Sequence, residues 1–242
     1  MKTNNKLIVI TGASSGIGAA TAQLFSKEGY SLLLLARRVE KLEALSLPNT
    51  ICKKVDVTDI TAVKDAVADA EKKYGTTEAI VNNAGLMLLG DLTTQDPQEW
   101  KRMFDVNIIG VLNGMQAVLP QMKARKGGTI INVSSIAGRK TFPNHAAYTG
   151  TKFGVHAITE NAREEAAPFN VRMVTIAPGA VETELLSHTT SDEIKAGYDV
   201  WKEEMGGVLK PEDIANAIWY AFNQPQGVNV REIVLAATKQ EA

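Results

Sequence analysis

Residues 6–10 read KLIVI, and the chain runs straight on through Thr11-Gly12-Ala13-Ser14-Ser15-Gly16-Ile17-Gly18 into a helix-patterned segment that stops at Gly29. A short run that is apolar at nearly every position is the signature of a strand covered on both faces. The segment behind it has helical periodicity, and a glycine ends it. This strand–glycine loop–helix unit decides the fold. A helix that starts directly behind a strand presents its unpaired N–H groups and positive dipole end to the sheet edge, where an anion can sit. Gly12 lets the strand turn sharply, and Gly16 lets the backbone approach a pyrophosphate. Gly18 permits close packing of helix on strand. Ser14 and Ser15 add hydroxyl donors, and Ile17 is expected with them among the cofactor contacts. The spacing is G-x-x-x-G-x-G rather than G-x-G-x-x-G, but its place between first strand and first helix is the one that dinucleotide binding requires.

Outward from this unit the alternation repeats. Apolar runs at Ser31–Ala36, Ile51–Val57, Ala79–Asn83, Thr129–Ser134, Arg172–Ala177 and Glu232–Ala236 predict six further strands. Lys53 and Lys54 place the third near a sheet edge. Between the strands, Thr58 precedes DITAVKDAVADAEKKY, which stops at Gly75. Asp96-Pro97-Gln98-Glu99 reads as an N-cap, a first-position proline and a capping-box acid. Pro211 opens a helix through Phe222. Strands alternating with helices predict an α/β chain: a doubly wound parallel sheet of about seven strands, helices on both faces, one domain over 1–242.

Composition narrows the function. The 242 residues are 45% hydrophobic and 22% charged, with a formal net charge of −1. That balance argues against nucleic acid as the main partner. Cys52 is the single cysteine, and His145, His156 and His188 have no metal-ligand spacing, so no metal site is expected. No stretch approaches the ~18 apolar residues of a membrane span. The apolar run LIVI is too short for a signal-peptide core, and a cytoplasmic location is expected.

Two further patterns carry chemistry. Where an NAD site places an acidic residue after the second strand, this chain has Ala36-Arg37-Arg38. Guanidinium forks suit a 2′-phosphate, so Arg37 and Arg38 point to NADP(H). Downstream, Tyr148 and Lys152 stand at i and i+4 on one helix face. An ammonium beside a phenol is expected to lower its pKa from ~10 and make it a usable acid or base.

These residues, taken with D-V at 56–57, N-N-A-G at 82–85, Asn107 in D-V-N, Ser134-Ser135 and P-G at 178–179, resemble a short-chain dehydrogenase/reductase along the whole chain. The resemblance implies a Rossmann-like fold, hydride transfer with a nicotinamide cofactor, and a catalytic tetrad of Asn107, Ser135, Tyr148 and Lys152. Ser135 is preferred to Ser134 because the family's serine stands thirteen residues before the tyrosine. Ser134 would then face away as a structural hydroxyl. Asn107 resembles the asparagine that holds a proton-relay water. Further implied cofactor contacts are Asp56 and Val57 at the adenine, Asn83, Ala84 and Gly85 at the ribose, and Pro178, Gly179, Val181 and Thr183 at the nicotinamide.

The variable substrate wall is expected at Leu86–Leu89, Ala137–His145 and Glu184–Gly207. In the last, Ile194, Tyr198, Trp201 and Met205 form an apolar stripe. The segment 184–207 is either a mobile lid or a fixed surface helix. Arg139, Lys140 and His145 could receive a carboxylate. The resemblance is nearest to NADP-dependent 3-hydroxy acid and serine dehydrogenases, implying a small-molecule carbonyl or alcohol substrate. It also implies a homo-tetramer or dimer, built through apolar residues such as Met115, Val118, Phe153, Val155 and Ile158. The alternative function is a non-catalytic dinucleotide-binding regulator, which would usually lack the tyrosine or lysine. A nucleotide-sugar epimerase would need a longer C-terminal part.

Overall fold

A computed structural model describes residues 4–241. Seven strands, β1 (Asn4–Thr11), β2 (Tyr30–Ala36), β3 (Thr50–Lys54), β4 (Thr77–Asn82), β5 (Thr129–Val133), β6 (Arg172–Pro178) and β7 (Glu232–Leu235), form one parallel sheet in the order β3-β2-β1-β4-β5-β6-β7. The order reverses between β1 and β4, so their carboxyl ends diverge and open a crevice there. β3 is the edge strand its lysines predicted. It is shorter than the sequence run: the Val55 N–H still donates to the Ala36 carbonyl, and Asp56 and Val57 then leave the sheet to line that crevice.

The helices are α1 (Gly16–Lys27), α2 (Val39–Glu43), α3 (Ile60–Tyr74), α4 (Pro97–Phe104), α5 (Gly110–Arg125), α6 (Ala146–Ala166), α7 (Asp192–Glu204) and α8 (Pro211–Phe222). Side-chain alternation along β1 sorts the core into two layers. Ile8 and Ile10 pack with Phe25 of α1 and Ile214 and Ile218 of α8. Leu7 and Val9 pack on the other face with Val63 and Val67 of α3, Val111 and Met115 of α5, and Val155 of α6. All four β1 residues are fully buried, each worth about 1.5–3 kcal/mol.

Two helix starts differ from expectation. The cap of α3 is Asp59, whose Oδ1 accepts from the N–H groups of Thr61 and Ala62. Asp96 caps α4 and Pro97 follows, but Glu99 closes no capping box; its oxygens accept from Gln95 Nε2 and Thr190 Oγ1. No helix among the described residues is long and apolar enough to cross a membrane.

Of the apolar residues expected at subunit contacts, Met115, Val118 and Val155 are buried in the chain's own core and Ile158 packs against it. They serve the α5 and α6 faces that cover the sheet. Phe153 is exposed, together with Phe104, Ile109 and Leu112.

Candidate active site

The crevice continues into one cleft of 1410 Å³, above the ~300–1,000 Å³ of a site for one small ligand. Every catalytic and cofactor-binding candidate lines it except Gly18 and Asn107. Gly18 lies behind the loop, where a Cβ would stand 2.4 Å from the Gly12 carbonyl oxygen, so its place is close packing rather than contact with a ligand.

At one end the loop after β1 is built for an anion. Gly12 has φ +65°, and a Cβ there would meet the Ala84 backbone at 2.7 Å. The Ser15 side chain makes no capping bond to α1, leaving the first N–H groups of that helix turned to the cleft without a side-chain partner. Asn83 braces the loop: its Nδ2 donates to the carbonyls of Thr11 (3.1 Å) and Gly12 (3.2 Å). Thr11 Oγ1 in turn accepts from the N–H groups of Asn83 and Ala84, both at 3.0 Å. Asp56 Oδ1 accepts from the Thr58 N–H and hydroxyl, which holds the turn after β3. The loop presents a donor-rich cradle of a kind that suits a pyrophosphate.

Arg37 is exposed at the same end. Arg38 is engaged: its Nη1 donates to Glu184 Oε2 at 2.9 Å, and its Nη2 donates to the hydroxyls of Ser14 and Ser15 at 3.2 Å each.

At the other end the tetrad residues come together, with roles for two of them that sequence did not foretell. Tyr148 and Lys152 share a face of α6, the lysine nitrogen 5.6 Å from the ring centroid. Burial pushes the Tyr148 phenol above its ordinary range, although a hydrogen bond from Ser135 pulls it down. The expected lowering by Lys152 is therefore not seen. Its ammonium is itself buried, which lowers it to about 8, and it donates to the Val133 carbonyl at 3.1 Å. Ser135 Oγ accepts from the Ala137 N–H at 3.1 Å and faces the cleft, whereas Ser134 Oγ is buried and donates to the Lys152 carbonyl.

Asn107 sits in a single π-turn, Asp105–Ile109, between α4 and α5. Such turns recur at functional sites because they redirect side chains. Here the amide makes three hydrogen bonds: its Oδ1 accepts from the Leu86 N–H at 2.8 Å, and its Nδ2 donates to the Leu86 carbonyl at 2.9 Å and to Thr151 Oγ1 at 3.0 Å. The side chain braces the bend after β4 rather than facing the cleft.

The substrate wall follows the expected segments in part. Leu86, Met87, Leu89, Ala137, Phe142, His145, Leu185, Ile194, Tyr198 and Trp201 line it. Arg139 and Lys140 do not; Arg139 pairs with Glu232, and Lys140 lies over the Phe142 ring. The segment 184–207 forms a 3₁₀ turn (Glu184–His188) and then α7. Thr189 Oγ1 accepts from the Leu89 N–H at 3.2 Å, and Thr190 donates to Glu99 at 3.0 Å. Burial raises Tyr198 to about 12, and its phenol adds to the upward push on Tyr148. Sequence reasoning also missed Gln240, whose Oε1 accepts from the Ala180 N–H at 2.9 Å and holds the turn after Pro178. A buried glutamine near a chain end leaves no pattern that would have disclosed it.

Comparison with known proteins agrees with this fold. The family model for short chain dehydrogenases matches residues 6–194. An uncharacterized oxidoreductase of Listeria monocytogenes is 44% identical, over 99% of both chains. The closed form of serine dehydrogenase complexed with NADP+ superposes with a TM-score of 0.90 at 28% identity, over 98% of this chain and 96% of that one. The 3-ketoacyl-(acyl-carrier-protein) reductase from Brucella melitensis, complexed with NADH, does so at 0.85 and 28% identity, over 97% and 98%.

Proposed function

Because the chain belongs to the short-chain dehydrogenase family, we propose that this oxidoreductase is NADP(H)-dependent and interconverts a carbonyl and a secondary alcohol, with Tyr148 as the proton donor and acceptor. The single observation that carries the reading is the meeting of Ser135, Tyr148 and Lys152 at the end of a cleft whose far end is the glycine loop and two arginines. The glycine loop, Arg37 and Arg38 would hold NADP(H), which would supply or take up the hydride.

The chain's own residues do the rest. Ser135 lies within hydrogen-bond reach of Tyr148, and both line the cleft; together they would hold the substrate oxygen and the charge that develops on it. Tyr148 gives that oxygen its proton in reduction and takes it in oxidation. The burial that raises the phenol is opposed by the hydrogen bond from Ser135, and the lysine's place beside Gly85 suits it to orient the cofactor ribose. Asn107 holds Leu86 and Thr151 in register and so acts as a positioning residue. The segment 184–207 covers the reacting end as a lid. A non-catalytic regulator would have no use for a serine, tyrosine and lysine converging in a cleft.

The pocket also bears on substrate. A hydroxy acid is supported by the likeness to serine dehydrogenase. Against it, the reacting end is largely apolar, and Asp91, Asp96, Glu99 and Glu193 also line the cleft, while Lys202, another lining residue, is paired with Asp199. Those charges favour a neutral, apolar carbonyl over an anion. We place the enzyme in the cytoplasm as a homo-oligomer, a tetramer built on α4, α5 and α6. The test is a panel of neutral and carboxylate-bearing carbonyls and alcohols, followed by NADPH absorbance in parent and Tyr148→Phe. The expected result is turnover of neutral substrates that the variant loses, with NADPH fluorescence titration unchanged. Normal turnover by the variant would overturn the acid–base assignment.

A further inference from the structure

The arginine that sequence assigns to the cofactor's 2′-phosphate already holds an anion of this chain. Arg38 Nη1 donates to Glu184 Oε2 at 2.9 Å, and Lys41 Nζ donates to Glu184 Oε1 at 2.9 Å. Arg38 Nη2 also donates to Ser14 and Ser15 on the phosphate loop, so its fork is anchored beside the place where a dinucleotide would lie. Glu184 comes from the far half of the chain and is the first residue of the turn that leads to α7. A carboxylate gripped by a guanidinium and an ammonium has the recognition chemistry of a phosphate monoester. The same donors cannot serve both fully.

We propose that Glu184 is a built-in competitor of the 2′-phosphate: it occupies the Arg38–Lys41 anion site and must give way when NADP(H) binds, so it sets how strongly the enzyme prefers NADP(H) to NAD(H). The inference rests on the reading that the 2′-phosphate goes to Arg38. A ligand with a plain 2′-hydroxyl leaves the two ion pairs intact. A 2′-phosphate, carrying about −1.5 to −2 charges, both breaks them and repels the carboxylate. Arg38 and Lys41 hold the Glu184 carboxyl down to about 2, so it stays charged at any ordinary assay pH. All three side chains are nearly half exposed, and solvent limits the competition to a modest factor. Removing the charge should tighten a 2′-phosphorylated ligand about fivefold.

The experiment uses the full chain and two fragments, adenosine 2′,5′-bisphosphate and adenosine 5′-monophosphate, with calorimetric Kd values for the parent, Glu184→Gln and Glu184→Ala. The expected result is about fivefold tighter binding of the bisphosphate by both variants, with the monophosphate unchanged within twofold. Weaker or unchanged bisphosphate binding would overturn the proposal and show that Glu184 orients Arg38 or is silent. Equal tightening of both fragments would overturn it as well, as a general effect of charge. A parent that does not prefer the bisphosphate overturns the cofactor reading and the competition with it, and so is distinguishable from failure of the competition alone.

Discussion

Replacing Asn107 by alanine separates a residue that builds the site from one that works in it. The side chain is 1% exposed and makes three hydrogen bonds, two of them to the N–H and carbonyl of Leu86. Thr151 keeps a partner after truncation, since its hydroxyl also donates to the Tyr148 carbonyl at 2.7 Å. Leu86 keeps none of what it had from Asn107, and it is itself buried. Two backbone groups left unsatisfied at about 1–2 kcal/mol each sum to about 2–4 kcal/mol. For a chain of this length that is a fall in Tm of about 4–16 °C by scanning fluorimetry. The bend after β4 should loosen, so kcat and the affinity for NADPH should fall together. A variant that melts within about 1 °C of the parent yet loses turnover selectively would refute this account. It would place Asn107 directly in proton transfer.

Ser135→Ala should lower kcat by about 10²–10³, the usual loss for one oxyanion donor. Ser134→Ala should leave kcat nearly intact and cost about 1 kcal/mol in urea unfolding, because its buried hydroxyl only ties Lys152 to β5. The reverse ranking would overturn the choice of serine. Lys152 is lowered to about 8 by burial and returns toward ~10.5 on unfolding, so between these values the unfolded chain binds more protons. The parent should therefore gain stability relative to Lys152→Met as pH rises from about 8 to 10.5, read from urea midpoints; a pH-independent difference would contradict the burial of its charge. Phe153→Glu, on the exposed strip with Phe104, Ile109 and Leu112, should reduce the mass seen by light scattering, whereas a monomeric parent would dismiss the tetramer.

Much of this molecule is legible along the chain. The strand runs, Asp96-Pro97, Pro211 and the glycine loop are local signals, governed by periodicity and by the backbone needs of neighbouring residues, and the structure puts each within a few residues of its expected place. The spacing of Tyr148 and Lys152 survives folding because four residues of helix always return to the same face. What only tertiary structure decided are partners and environments. Asn107 is spent on Leu86 and Thr151, and Arg38 meets a carboxylate 146 residues away. Met115, Val118 and Val155 turn inward while Phe104 and Leu112 turn out. The phenol of Tyr148 is raised although its lysine stands beside it. Hydrogen-bond partners, ion pairs and the cost of burying a charge depend on what the fold brings near, and side chains remote in sequence carry no mark of one another until the sheet and its helices have set their distance.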